Sequence, residues 1–250
     1  MPTDTVTIRT RDGECPATVL TPAGEGPWPA VIFYGDAGGI RPAMQQMAAR
    51  LADGGFVVLL PDLYYRFGSY GPLVPAEVFK GDVAAILGPL MATTSTDKAA
   101  QDTAAFIAYL DTRDDIEGEQ LGAIGFCMGG GLAIASAAAC PQRIAAVASF
   151  HGGHLATDEA TSPHLRVSTL AAELFIASAA NDDSYPPSMA ARLEDALTTA
   201  GAHYRAETYP GASHGWMVPD FPTYNSNASE RGWKAVTALL NRTLRVVTPG

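Results

Sequence analysis

Cysteine is scarce in this chain, with only Cys15, Cys127 and Cys140 among 250 residues. So few thiols, in odd number, build no disulfide framework, and none of them pairs at a close metal-ligand spacing. The histidines offer no zinc spacing either, so no metal is expected. No apolar run approaches the roughly 20 residues that span a bilayer. The opening Met1-Pro2-Thr3-Asp4-Thr5 lacks the basic-then-apolar order of a secretory leader. These absences lead to the expectation of a cytoplasmic protein with no membrane partner. Basic residues are outnumbered, 16 against 26 acidic ones, for a formal net charge of −10. That balance argues against nucleic acid and anionic membranes as partners. Repeats, low-complexity tracts and linkers are also missing, and the length suits one domain over 1–250.

What is present alternates between short apolar strands and helical runs. Val6–Thr10 and Ala17–Thr21 flank Arg11-Asp12-Gly13 and read as an antiparallel hairpin. Ala30–Tyr34, Phe56–Leu60, Leu121–Gly125, Ala145–Phe150 and Leu174–Ala177 read as buried strands, and Tyr204–Thr208 as an alternating one. Helices are expected over Pro42–Asp53, Lys98–Leu110, Gly129–Ala139, Met189–Thr199 and Ser229–Leu244, the last capped by Ser229. Residues 62–95 carry Tyr64, Tyr65, Phe67, Tyr70 and Phe79 among Gly and Pro. They read as a loop with short helices that either covers a pocket or is an ordinary surface connection. The alternation predicts an α/β fold, with a mostly parallel central sheet, helices on both faces and the antiparallel N-terminal hairpin. In such sheets, sites form at the carboxyl ends of the strands. Asp36, Cys127, His151 and Asp182 all follow predicted strands.

The stretch 121–131, Leu-Gly-Ala-Ile-Gly-Phe-Cys-Met-Gly-Gly-Gly, carries the most chemistry. A strand runs into Gly125-Phe126-Cys127-Met128-Gly129 and an Ala-rich helix follows. This is the layout of the α/β-hydrolase nucleophile elbow, with cysteine in place of serine. An apex residue in a strained backbone needs small neighbours, and the helix N-terminus favours a thiolate and an oxyanion. A cysteine nucleophile needs a base and an acid to orient it. In this fold they follow it in the order acid, then histidine. His214, after the Tyr204–Thr208 strand, is the favoured base, while His203 lies at the wrong end of that strand. His151, His154 and His164 are read as loop or packing residues. Asp182 and Asp183 both follow Leu174–Ala177 and are both candidate acids. Gly211-Ala212-Ser213-His214-Gly215 matches the serine elbow letter for letter, but the prolines after it preclude the required helix, so Ser213 is rejected.

Together these residues resemble the dienelactone hydrolase family. The resemblance rests on Gly125-Phe126-Cys127-Met128-Gly129-Gly130, Pro61-Asp62-Leu63-Tyr64, Asp182 with Pro186 four residues on, and the His214-Gly215-Trp216 run. It spans about Ala30 to Leu244. It implies an α/β-hydrolase fold and a hydrolase of esters or lactones with a Cys-His-Asp triad, without metal or cofactor. The implied partner is a small-molecule ester or lactone, and the implied state a monomer or weak oligomer. The implied roles are Cys127 as nucleophile, His214 as general base and Asp182 as orienting acid. The backbone N–H groups of Ala37 and Met128 would form the oxyanion hole. Asp36 stands where the family has a glutamate against the resting thiol, with loop capping as its alternative. The family's carboxylate-binding arginine four residues after the histidine is Val218 here. Arg41 and Arg66 are candidates for binding a substrate anion, and Tyr64 and Tyr65 for lining an apolar site. A thioesterase, a carbon–carbon bond hydrolase and a non-catalytic binding or sensor homologue are the rival readings.

Overall fold

The computed structural model describes residues 1–245. Residues 246–250 of the expected domain lie outside the described part. Eight strands form one sheet: β1 (Thr3–Arg9), β2 (Glu14–Leu20), β3 (Ala30–Tyr34), β4 (Val57–Pro61), β5 (Leu121–Phe126), β6 (Ile144–Phe150), β7 (Glu173–Asn181) and β8 (Tyr204–Ser213). Their spatial order is β1-β2-β4-β3-β5-β6-β7-β8. The hairpin β1–β2 is antiparallel, and β2 also joins β4 antiparallel. From β4 through β8 every pairing is parallel. This is the α/β-hydrolase architecture, as the alternation of strands and helices predicts.

The central strands are buried on both faces, which is why they read as unbroken apolar runs rather than as alternating ones. Helices α1 (Pro42–Asp53) and α7 (Ser226–Leu244) cover one face. There Met44, Met47, Trp233 and Leu240 pack against Phe33 and Phe126. Helices α4 (Thr96–Leu110), α5 (Met128–Ala139) and α6 (Pro187–Thr199) cover the other, with Phe106, Leu132 and Leu193 against Ile32 and Ile176. Between β4 and α4 the chain forms two short helices, α2 (Pro75–Val78) and α3 (Val83–Met91).

One helix boundary differs from the expectation. The last helix is capped by Asn225, whose side chain accepts from the Ala228 N–H at 3.0 Å. Ser229 is not the cap; it sits a turn inside α7, 1% exposed, with its N–H bonded to the Asn225 carbonyl. Both are residue types suited to capping, and the earlier one takes the role. Strands β7 and β8 run further than the apolar pattern alone suggests. Their pairing extends to Asn181 opposite Ser213, so the residues immediately after each strand emerge side by side.

Candidate active site

Those two residues are Asp182 and His214. The carboxylate Oδ2 of Asp182 lies 2.7 Å from His214 Nδ1. On the far side of the ring, His214 Nε2 lies 3.0 Å from Cys127 Sγ. The three groups thus form a continuous hydrogen-bonded chain built from the carboxyl ends of β5, β7 and β8. Asp183 joins the cavity wall and not this chain.

Cys127 stands at the turn between β5 and α5 with φ 54° and ψ −120°. A non-glycine residue at positive φ is strained, and such strain collects at functional sites. The turn works because nothing crowds it. A Cβ at Gly125 would run into the Gly129 backbone, and one at Gly129 into the carbonyls of Tyr34 and Gly35. The Gly-x-Cys-x-Gly spacing therefore has a steric cause. The helix α5 begins at Met128, directly behind the thiol.

The N–H groups of Met128 and Ala37 have no hydrogen-bond partner among the described residues. Tyr64 is buried beneath this corner. Its hydroxyl donates to the Ala37 carbonyl at 2.9 Å and lies 3.8 Å from Met128 Sδ. Tyr64 therefore braces the loop after β3 instead of lining the cavity.

Electrostatics follow the contacts. Burial opposes a charge on His214, but its bonds to Asp182 and Cys127 outweigh it, and its pKa is raised from 6.5 to about 10. For Asp182, burial pushes upward, and bonds from His214 and Ser184 hold its carboxyl below the usual value. Ser184 is a member that sequence reading missed. Its hydroxyl donates to Asp182 Oδ1 at 2.5 Å and its N–H to the same oxygen at 3.0 Å. Nothing in the sequence marks it beyond its place two residues after the acid, where an Asx turn is a common outcome.

His151, expected at this rim only as a loop or packing residue, is part of this corner. It follows β6, is fully buried with φ 39°, and its Nδ1 accepts from the Cys127 N–H at 3.1 Å. That bond puts its own proton on Nε2, which has no partner among the described residues. Burial, reinforced by nearby His214, lowers its pKa to about 3. The ring therefore stays neutral and supports the Cys127 backbone.

Asp36, Arg41, Arg66 and Tyr65 do not take the roles expected of them. Asp36 does not contact the thiol. Its carboxylate accepts from both terminal nitrogens of Arg41, at 2.6 and 2.8 Å, and caps its own loop through the Gly38 N–H at 2.8 Å. Arg41 is not free for a substrate anion. It also donates to Asp220 from Nε at 2.7 Å and from Nη2 at 2.9 Å, and to the Gly39 carbonyl at 3.4 Å. All five guanidinium N–H groups are thereby used. Arg66 is held by Asp12 and by both oxygens of Asp102, and Tyr65 bonds Thr10 and Asp102. Arg66 and Tyr65 lie by the β1–β2 turn, away from the cavity. A sequence shows the charge of an arginine but not the distant carboxylate that neutralises it.

Cys127 and His214 open into a cavity of about 910 Å³. The segment carrying α2 and α3 contributes Leu73, Val78, Phe79, Val83, Leu87 and Met91 to its wall. Among the described residues no group of three or more His, Cys, Asp or Glu side chains could hold a metal ion. Nor is any helix there long and apolar enough to cross a membrane.

The sheet, the elbow and the Cys-His-Asp geometry define a protein of the α/β-hydrolase class. The family model for the dienelactone hydrolase family matches residues 15–244, and the chain belongs to that family of hydrolases. Among curated relatives, a Synechocystis protein named "Putative carboxymethylenebutenolidase" is 27% identical over 248 residues, covering 97% of this chain and 98% of the relative. An Escherichia coli K12 protein of the same name is 28% identical over 214 residues, covering 84% and 75%. Among solved structures, a "Putative Dienelactone Hydrolase" from Klebsiella pneumoniae superposes with a TM-score of 0.85 at 23% identity, covering 96% of this chain and 98% of that one. The dienelactone hydrolase of Anabaena variabilis gives 0.64 at 20% identity over 98% and 99%. These two likenesses speak to the fold.

Proposed function

We propose that this protein hydrolyses carboxylic esters or lactones through a covalent acyl-cysteine intermediate, with Cys127 as nucleophile, His214 as acid and base, and Asp182 orienting the histidine. The reading is carried by one observation, the chain Sγ–Nε2–Nδ1–Oδ2 with links of 3.0 and 2.7 Å at the mouth of a cavity. The relatives' name, carboxymethylenebutenolidase, points to a carboxyl-bearing butenolide as their substrate and supports lactones as the class here; the carboxyl group is carried over no further.

The Cys127 thiol proton passes to His214 Nε2, 3.0 Å away, leaving a thiolate beside an imidazolium that Asp182 steadies through Nδ1. The sulfur adds to the ester carbonyl, forming an S–C bond and moving the C=O electron pair onto oxygen. The N–H groups of Ala37 and Met128, which no described residue bonds, would hold that oxyanion. Preorganised donors of this kind typically contribute about 3–4 kcal/mol each. As the C–O bond breaks, the proton of His214 goes to the departing alkoxide. Water then attacks the thioester while the now neutral His214 takes its proton. Sulfur leaves, and acid plus alcohol are released, or the single hydroxy acid if the substrate was a lactone.

Turnover of p-nitrophenyl acetate by the wild type and by Cys127→Ala, with folding checked by circular dichroism, tests this. Turnover lost only in the variant is expected. Equal turnover in both would overturn the nucleophile assignment, and no turnover in either would favour a binding protein.

A further inference from the structure

The chemistry of the cavity wall says which substrates the site admits, an inference that rests on the ester-hydrolase reading above. No lysine or arginine lines the cavity among the described residues. Its ionisable groups besides Cys127 are the carboxylates of Glu159, Asp182 and Asp183 and the histidines His154 and His214. Asp182 already balances His214. Arg41, on the loop whose Ala37 and Gly38 line the cavity, has every donor committed to Asp36, Asp220 and Gly39. The neighbouring lysines are not in the wall: Lys80 follows Phe79 without lining it, and Lys98 donates to the Thr93 carbonyl. A substrate carboxylate entering here would lose its hydration and meet carboxylates, with no guanidinium or ammonium to replace the water.

A second observation points the same way. Phe79, Val83 and Met91 all line the cavity, yet remain 46%, 37% and 41% exposed. They keep apolar surface in water at the mouth of a reactive site, and contiguous exposed apolar surface of this kind commonly marks a ligand site. Only a group that buries it without needing polar partners gains from it.

We propose that the part of the substrate lying against α2 and α3 is an uncharged hydrocarbon chain or ring, and that the site discriminates against a carboxylate at that position. Val83, exposed on the first turn of α3 and facing the cavity, is a specificity-determining residue in this account.

The test is the rate at which Cys127 is alkylated by N-methylmaleimide, N-hexylmaleimide and 6-maleimidohexanoic acid. Each rate is divided by the rate with 2-mercaptoethanol, and the labelled cysteine is identified by peptide mapping. The proposal expects N-hexylmaleimide to exceed N-methylmaleimide by at least about tenfold, since each buried methylene adds severalfold in equilibrium terms. The carboxylated reagent, of similar length, should lose most of that gain. Val83→Arg, at an exposed position that need not perturb folding, should reverse the preference toward the carboxylated reagent. Equal rates for the two hexyl reagents, or a faster carboxylated one, would overturn the proposal while leaving the reactive Cys127 intact. No acceleration of Cys127 over the free thiol with any reagent would remove the nucleophile reading, and this proposal with it.

Discussion

Two regions meet at the cavity, and they are held together differently. The rim at the carboxyl ends of β5 to β8 is fixed by strand pairing and by side chains with several bonds each. His214 is gripped on both nitrogens, Asp182 receives Ser184 as well, and Cys127 is supported from behind by His151. The arm formed by α2 and α3 has no strand to anchor it. Among its residues Asp82 caps α3 through the Ala85 N–H, and Phe79 meets Phe221 edge to face at 5.1 Å. Most of the rest of its contribution to the cavity is apolar surface. The contrast separates two jobs. Chemistry needs atoms held to within a few tenths of an ångström, which the sheet supplies. Recognition of an apolar group needs only matching surface.

Changes on the rim should have the largest effects. Cys127→Ala should lower ester turnover by on the order of 10⁴-fold, and Asp182→Asn by about 10³–10⁴-fold, with melting temperatures little changed. Steady-state kinetics beside thermal melts check this. An Asp183→Asn loss as large as that of Asp182→Asn would contradict the geometry.

Next in size is the buried ion cluster under the loop after β3. Arg41→Met strands Asp36, which is fully buried, and also leaves Asp220 unpaired. Removing one partner of such a cluster costs about 3–5 kcal/mol, to be read from urea unfolding. Asp36→Asn should likewise destabilise the protein. No thiol activation is expected from it, because the carboxylate faces Arg41 and not Cys127.

A smaller effect belongs to His151. Its folded pKa is lowered to about 3, while the unfolded chain takes up the proton near its usual value of about 6.5. Stability is therefore fully present above that value and falls as pH drops toward about 3, by about 1.4 kcal/mol per unit. Unfolding free energies measured from pH 7 to 4 should show this slope in the wild type. His151→Asn, which tolerates positive φ, should be less stable overall but flatter with pH.

The least disruptive change is on the arm. Val83→Ser should alter stability by under about 0.5 kcal/mol. It should raise KM for a hexanoate ester severalfold while leaving kcat nearly unchanged, which is the split expected when only uniform binding is lost.

Much of the rim was legible from sequence because its requirements are local. The elbow needs small residues two before and two after Cys127, and strand ends follow from apolar runs closed by polar residues. The order nucleophile, acid, histidine is linear along the chain. What escaped was decided across the fold. Arg41 finds Asp220 from 179 residues away, and Arg66 finds Asp102, so two apparent anion binders are internal ties. His151 looked like packing because nothing local shows that its ring will turn toward the Cys127 N–H. The cap of the last helix falls to Asn225 because the chain is already helical from Ser226, which carries Ser229 inside the first turns.

The proposed mechanism depends above all on a covalent acyl group on Cys127. Its most direct test is rapid acid quench of the protein mixed with p-nitrophenyl hexanoate, followed by intact-mass and peptide mass spectrometry. The account predicts a hexanoyl adduct on the peptide containing Cys127, formed in the same phase as a burst of p-nitrophenol and absent from Cys127→Ala. Undiminished turnover in Cys127→Ala, or an acyl group found on the Ser213 peptide instead, would contradict it.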